Sequence, residues 1–143
     1  MESKYGSKEN VIPIFLQEDC EHAVIEAKKK AAVAGFGNTE QVLISTAVSE
    51  LATNIIRYAG KGEIYLTVIK TQQKSGIVIE AIDNGPGIQD IGLALQDHFT
   101  TTRGSLGLGL SSVRRIMDEF EIESSQGMGT RIVARKWRND VGF

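Results

Sequence analysis

Six of the chain's 15 glycines fall between Gly85 and Gly109, and that stretch constrains the fold more than any other feature. Glycine inside a helix or strand costs roughly 0.5–1 kcal/mol relative to alanine, so a regular element does not run through such a stretch. With only 2 Pro and no glycine period, the excess is neither collagen-like nor low-complexity. Glycine supplies positive φ and lets backbone lie close against a ligand. The question is what the segment surrounds.

Before it, VIPIFLQ (residues 11–17) reads as a short strand, and Pro13 suggests a sheet edge. Asp19 caps a helix to about Ala34, stopped by Gly35 and Gly37. Thr39 caps a second helix to about Ala59, ended by Gly60-Lys61-Gly62. In that helix Ile44, Val48, Leu51, Ile55 and Ala59 recur at three- and four-residue steps and face the core. Glu63–Lys70 and Gly76–Asp83 read as strands joined by a polar turn. In the second, Ile77, Ile79, Ala81 and Asp83 share one face by two-residue alternation. Residues 84–107 are irregular, with one short helix near 91–97. A third helix runs from about Leu108 to Phe120, and Glu121–Ser125 and Thr130–Trp137 form a closing hairpin. The order β α α β β, loop, α β β predicts an α+β two-layer sandwich: one mixed sheet with helices on one face. At 143 residues the chain is one domain, residues 11–138, between flexible tails at 1–10 and 139–143.

The totals exclude several functions. The formal charge of −2 gives no basic field for nucleic acid, no polybasic tract favours an anionic membrane, and Lys28-Lys29-Lys30, the one basic run, reads as the solvated face of a helix. One cysteine, Cys20, makes neither an intrachain disulfide nor a thiolate zinc site. A polar N-terminus and the lack of a long apolar run predict a soluble, cytoplasmic protein.

Four groups of residues could carry chemistry. Glu50 and Asn54 lie four apart on the second helix, about 40° apart around its axis and flanking the apolar stripe. Arg57 and Tyr58 continue that polar side. A carboxylate, an amide oxygen and a guanidinium in one row suit a metal–phosphate ligand, since magnesium takes few protein oxygens plus phosphates. Polar residues beside a core stripe also commonly bond only their own fold or water. Asp83-Asn84-Gly85-Pro86-Gly87 follows a strand directly, with Asp83 on the core side. It is either a turn with its usual residues or a carboxylate accepting from the amino group of a base, with Gly87 letting backbone lie against the ring. Gly104, Gly107 and Gly109 lead into the third helix, where exposed N–H groups and the helix dipole attract anions. Neither a Walker loop nor a dinucleotide fingerprint is present there. Gly129-Thr130 opens the last strand and alone means only a hairpin exit.

In order, the segments ISTAVSELATNIIRYAGKGEI, EAIDNGPGIQDI, LGLGLSSVRRIMDEFEIES and GTRIVARKW resemble the N-box, two glycine boxes and terminal GT of the GHKL (Bergerat-fold) ATP-binding superfamily. The resemblance spans about Val11 to Trp137. It implies an ATP site, with Asn54 binding magnesium that bridges the phosphates and Asp83 binding the adenine amino group. Thr130 would support Asp83 through water. Arg57 would touch phosphate and Tyr58 the adenine side. Gly85, Gly87 and Ile88 would line the nucleotide, as would Thr101 and Arg103. Gly104, Ser105, Leu106, Gly107, Leu108, Gly109 and Leu110 would wrap the triphosphate.

Within that superfamily, gyrase and mismatch-repair ATPases need a longer lid and a further domain than this chain holds. Neither His22 nor His98 lies in a segment like the phospho-acceptor box of a sensor kinase. The remaining resemblance is to small bacterial serine/threonine kinases that control sigma factors by partner switching, and within these to the stressosome switch kinases. That implies Glu50 as base on the acceptor hydroxyl. It implies STAS-domain antagonist and scaffold proteins as substrates, and a PP2C-type phosphatase bound and activated by the freed kinase. The sibling anti-sigma kinases would instead hold a sigma factor, and Arg103 stands two residues further from Gly107 and Gly109 than their lid arginine. A different class of reading is a nucleotide-responsive binding module with little catalysis.

Overall fold

The computed structural model describes residues 10–88 and 109–138, together with Ser3 and Gly6. The expected short helix near 91–97, most of the glycine-rich segment and the tail at 139–143 lie outside the described residues.

Five strands and three helices are described. They run β1 (Val11–Ile14), α1 (Gln17–Val33), α2 (Asn38–Ala59), β2 (Gly62–Lys70), β3 (Ser75–Asp83), α3 (Gly109–Ile116), β4 (Glu119–Ser125) and β5 (Gly129–Trp137). The strands form one sheet in the order β1-β2-β3-β5-β4, and the helices pack on one face as a second layer. The two-layer α+β sandwich is as expected. The sheet differs from expectation in one respect: every described pairing is antiparallel, where a mixed sheet was expected. The cause is connectivity. Two helices separate β1 from β2, so the chain returns running opposite to β1. The single crossover from β3 to β4 would make those two parallel, but β5 folds back between them.

β1 is the edge strand that Pro13 suggested. Leu66 donates to the Asn10 carbonyl at 3.1 Å. The bonded positions are therefore Asn10, Ile12 and Ile14, and Pro13 falls where a backbone N–H would point away from β2. The strand stops at Ile14 rather than residue 17, because Gln17 already begins α1. Asp19 sits in the first turn of α1 rather than before it. Its carboxylate reaches back to accept from Phe15 N–H at 2.8 Å and Leu16 N–H at 2.7 Å. Those bonds hold its pKa below the ordinary carboxylate value. Likewise α2 starts at Asn38, with Thr39 already inside its first turn.

The core lies between the helices and the inner sheet face. Cys20, Ala23, Ala27 and Ala31 form a buried small-residue stripe on α1, which lets it pack closely on α2. On α2 the expected stripe holds: Ile44, Val48, Leu51 and Ile55 are buried, while Ala59 is half-buried. Inner-face residues Ile64, Leu66, Ile77, Ile79, Ala81, Ile132 and Ala134 meet them. α3 ends at Ile116 rather than Phe120. Asp118 N–H is already taken by the Arg135 carbonyl at 2.8 Å, which starts β4 pairing. Lys136 Nζ satisfies the Ile116 carbonyl at 2.9 Å. Phe120 and Ile122 then alternate onto the inner face and pack on the core.

The outer face carries charge. Arg131 and Glu80, 3% and 0% exposed, pair at 2.7 Å between β5 and β3. Arg131 also reaches Glu123 at 3.1 Å, and Ser3 donates to Glu80 at 2.5 Å. No helix among the described residues is long and apolar enough to cross a membrane.

Candidate active site

The site forms where the C-terminal half of α2, the inner-face end of the sheet and the start of α3 converge. At α2, Glu50 and Asn54 are half-buried beside the core stripe. A Cβ added to Gly109 would lie 3.1 Å from the Asn54 amide nitrogen, 3.3 Å from its oxygen and 3.3 Å from a Glu50 carboxylate oxygen. The N-terminus of α3 is thus packed directly against both polar side chains, and only a residue without Cβ lets it sit there unshifted. In sequence Gly109 lies 109 − 54 = 55 residues from Asn54 and 109 − 50 = 59 from Glu50; the fold puts them in contact. Leu110, the next residue, is buried and anchors the helix to the core.

Asp83 closes β3 and is half-buried. Its Oδ1 accepts from Gly85 N–H at 2.9 Å. Burial pushes its pKa above the ordinary carboxylate value, with the backbone N–H groups of Gly85 and Thr130 acting against that rise. Thr130, the cross-strand partner of Asp83, is buried beside it. The turn after Asp83 therefore carries a carboxylate that is costly to keep charged and partly compensated, as at functional sites. Gly85 also meets Ala59, the last residue of α2, where an added Cβ would lie 2.6 Å away. So α2 borders the site from Glu50 to Ala59, about 13 Å at 1.5 Å per residue.

Gly87 adopts φ +83°, and its missing side chain faces the Ser125 carbonyl at 2.3 Å. Its need for glycine is thus met within the protein: the turn docks on the β4–β5 hairpin rather than leaving an open face in that direction. Two more bonds fasten that contact. Gly127 N–H donates to the Pro86 carbonyl at 2.8 Å, and Ile88 N–H donates to Ser124 Oγ at 2.6 Å. Ser124 also lies 2.8 Å from Thr130 Oγ1. Sequence reading passed over Ser124. Its signal was available by counting back across the hairpin, since Ser124 and Thr130 are register partners.

Arg57 and Tyr58 sit exposed on the last turn of α2, on the side of Asn54. Thr101, Arg103, Gly104, Ser105, Leu106, Gly107 and Leu108 lie outside the described residues. Among the described residues no cluster of three or more His, Cys, Asp or Glu side chains forms a metal cage. An amide oxygen beside a carboxylate at a helix N-terminus fits a magnesium ion whose other ligands are phosphate and water.

The sequence matches the family model of histidine kinase-, DNA gyrase B- and HSP90-like ATPases over residues 39–139. It is 50% identical to the serine/threonine-protein kinase RsbT of Bacillus subtilis (strain 168) over 103 residues, covering 72% of this chain and 77% of that protein. It is 40% identical to an anti-sigma F factor of Thermoanaerobacter sp. (strain X514), covering 66% of this chain and 68% of that one. The fold is also that of the mycobacterial sensor histidine kinase MprB, at a TM-score of 0.56 and 18% identity, over 87% of this chain and 95% of that structure.

Proposed function

We propose, from the premise that this chain belongs to the family of histidine kinase-, DNA gyrase B- and HSP90-like ATPases, that it is an ATP-dependent protein serine/threonine kinase that works by partner switching. The observation that carries the reading is the contact of Gly109 with Asn54 and Glu50, beside the base-binding turn at Asp83. The 50% likeness to a protein named as a serine/threonine kinase supports the reaction type.

Each residue has a task in it. Asp83 accepts from the amino group of the adenine, and Thr130 supports that contact. Asn54 would hold magnesium, which when bound would supply neutralisation of phosphate charge. The backbone N–H groups at the start of α3 face the phosphates. Glu50 orients the acceptor hydroxyl and takes its proton as the hydroxyl oxygen attacks the γ-phosphorus. The bond from that phosphorus to the bridging oxygen breaks, and ADP leaves. Positioning supplies most of the rate in such transfers.

The acceptor is a serine or threonine of a STAS-domain protein. Released from its substrate, the kinase binds and activates a PP2C-type phosphatase in the cytoplasm. The higher identity to RsbT than to the anti-sigma F factor supports this arrangement over retention of a sigma factor. The test is a pull-down and phosphotransfer assay against a STAS protein, a PP2C-type phosphatase and a sigma factor. Phosphorylation of the STAS protein with phosphatase binding is expected. Tight sigma-factor binding with no phosphatase binding supports the anti-sigma reading. Partner affinities that track the bound nucleotide, without phosphotransfer, support a binding module.

A further inference from the structure

We propose that Ser124 is a specificity-determining residue: it fixes the Thr130 hydroxyl as a hydrogen-bond acceptor toward the base, so the site selects a ring bearing an amino group over one bearing a carbonyl oxygen. The inference rests on Asp83 and Thr130 being the base-recognition pair.

Hydrogen-bond counting carries it. A serine hydroxyl has one proton and two lone pairs. Among the described residues Ser124 Oγ has three partners: Ile88 N at 2.6 Å, Thr130 Oγ1 at 2.8 Å and the Gly129 carbonyl at 3.1 Å. Ile88 N–H only donates, so it takes one lone pair. The Gly129 carbonyl only accepts, so it takes the proton. The 2.8 Å contact by itself admits either donor; with the Ser124 proton on the Gly129 carbonyl, Thr130 donates into the remaining lone pair. Its own proton is committed to Ser124, and its oxygen offers the site lone pairs alone. Asp83, its cross-strand partner, accepts the Gly85 N–H at Oδ1 at 2.9 Å, and an ionised carboxylate offers lone pairs alone. Ser124, Thr130 and Asp83 stand in one row across β4, β5 and β3 on the inner face.

Two acceptors side by side match the two protons of an exocyclic amino group, directly or through a water. They are mismatched to a carbonyl oxygen, which would leave facing lone pairs unpaired. Ser124 also fixes the Asp83–Ile88 turn to the hairpin through the Ile88 bond, so the same hydroxyl sets the position of the turn and the proton direction of Thr130.

Adenine and hypoxanthine exchange these two groups at one ring position, so ATP and inosine triphosphate are the probes. Their dissociation constants are measured by calorimetry for the wild type, Ser124→Ala, Ser124→Thr and Asp83→Asn, each checked for folding by its thermal midpoint. Freed of Ser124, Thr130 can turn its proton outward. Ser124→Ala is expected to lower ATP affinity about tenfold and to lower the ATP-to-inosine-triphosphate preference by a similar factor. Ser124→Thr, which keeps a hydroxyl, is expected to keep the preference. A folded Ser124→Ala protein that loses affinity for both nucleotides equally overturns the proposal, because a merely structural role leaves the ratio unchanged. So does a folded Ser124→Thr protein that loses the preference. If Asp83→Asn collapses the preference while Ser124→Ala does not, only the role of Ser124 falls. If Asp83→Asn leaves it intact, the base-recognition reading falls and this inference with it.

Discussion

Replacing Asp83 with asparagine should separate stability from ligand binding. The substitution keeps shape and removes charge. In the free protein, burial raises the Asp83 pKa above its ordinary value. A carboxyl with a raised folded pKa binds its proton more tightly folded than unfolded. Its favourable contribution is thus full below the unfolded pKa and is lost as pH rises through the folded one. Asp83→Asn should flatten that decline with rising pH. At about pH 7 the relief of charge burial offsets the loss of one backbone bond of about 1 kcal/mol, so ligand-free stability should change little. ATP binding should change a great deal. Turning one acceptor oxygen into an NH2 group opposite an amino group costs about 2 kcal/mol for a charged hydrogen bond, or about thirtyfold in dissociation constant. At ATP a hundredfold above its wild-type dissociation constant, the wild type gains about 2.7 kcal/mol of stability. The variant at the same concentration gains about 0.9 kcal/mol. At roughly 3 °C per kcal/mol for a domain this size, the thermal shift should fall from about 8 °C to about 3 °C. Thermal melts with and without magnesium-ATP, repeated across pH, read both effects. A variant that keeps the full ATP shift refutes the role given to Asp83.

Two further substitutions probe separate parts of the molecule. Gly109→Ala inserts a Cβ 3.1–3.3 Å from Asn54 and Glu50; the protein should fold normally while kcat/KM for phosphotransfer drops about tenfold or more, because small displacements of positioned groups are expensive, and an unchanged kcat/KM would show that this contact has no part in catalysis. Arg131→Met leaves Glu80, fully buried, without its guanidinium; urea unfolding should show a loss of about 3–5 kcal/mol, with most of it returned by adding Glu80→Met.

Much of this was legible in the sequence because local patterns carried it. The apolar steps on α2 fixed which side faces the core, and so placed Glu50 and Asn54 at its border. The alternation in β3 put Asp83 on the inner face, and Pro13 marked an edge. What escaped depended on register between distant strands. Glu80 and Arg131 lie fifty-one positions apart, and nothing local reveals that they meet. Ser124 looks like any strand-end serine until β4 is paired with β5. The all-antiparallel pairing is not legible locally, because it depends on β5 inserting between β3 and β4, two strands that run alike. Leu110, Val113, Met117 and Phe120 keep helical spacing to Phe120, while the pairing of Asp118 with Arg135 ends α3 first. The packing of Gly87 on the Ser125 carbonyl is another contact that only the paired hairpin reveals.

The central claim is that Glu50 serves phosphotransfer at a site that binds ATP through other residues. Single-turnover transfer from radiolabelled ATP to a STAS-domain substrate, measured with Glu50→Gln beside the wild type and paired with calorimetric ATP affinity, tests it most directly. ATP affinity should stay within about threefold of wild type while the transfer rate falls by about 10²-fold or more. Transfer at the wild-type rate by the variant, or no ATP binding by the wild type, would contradict it.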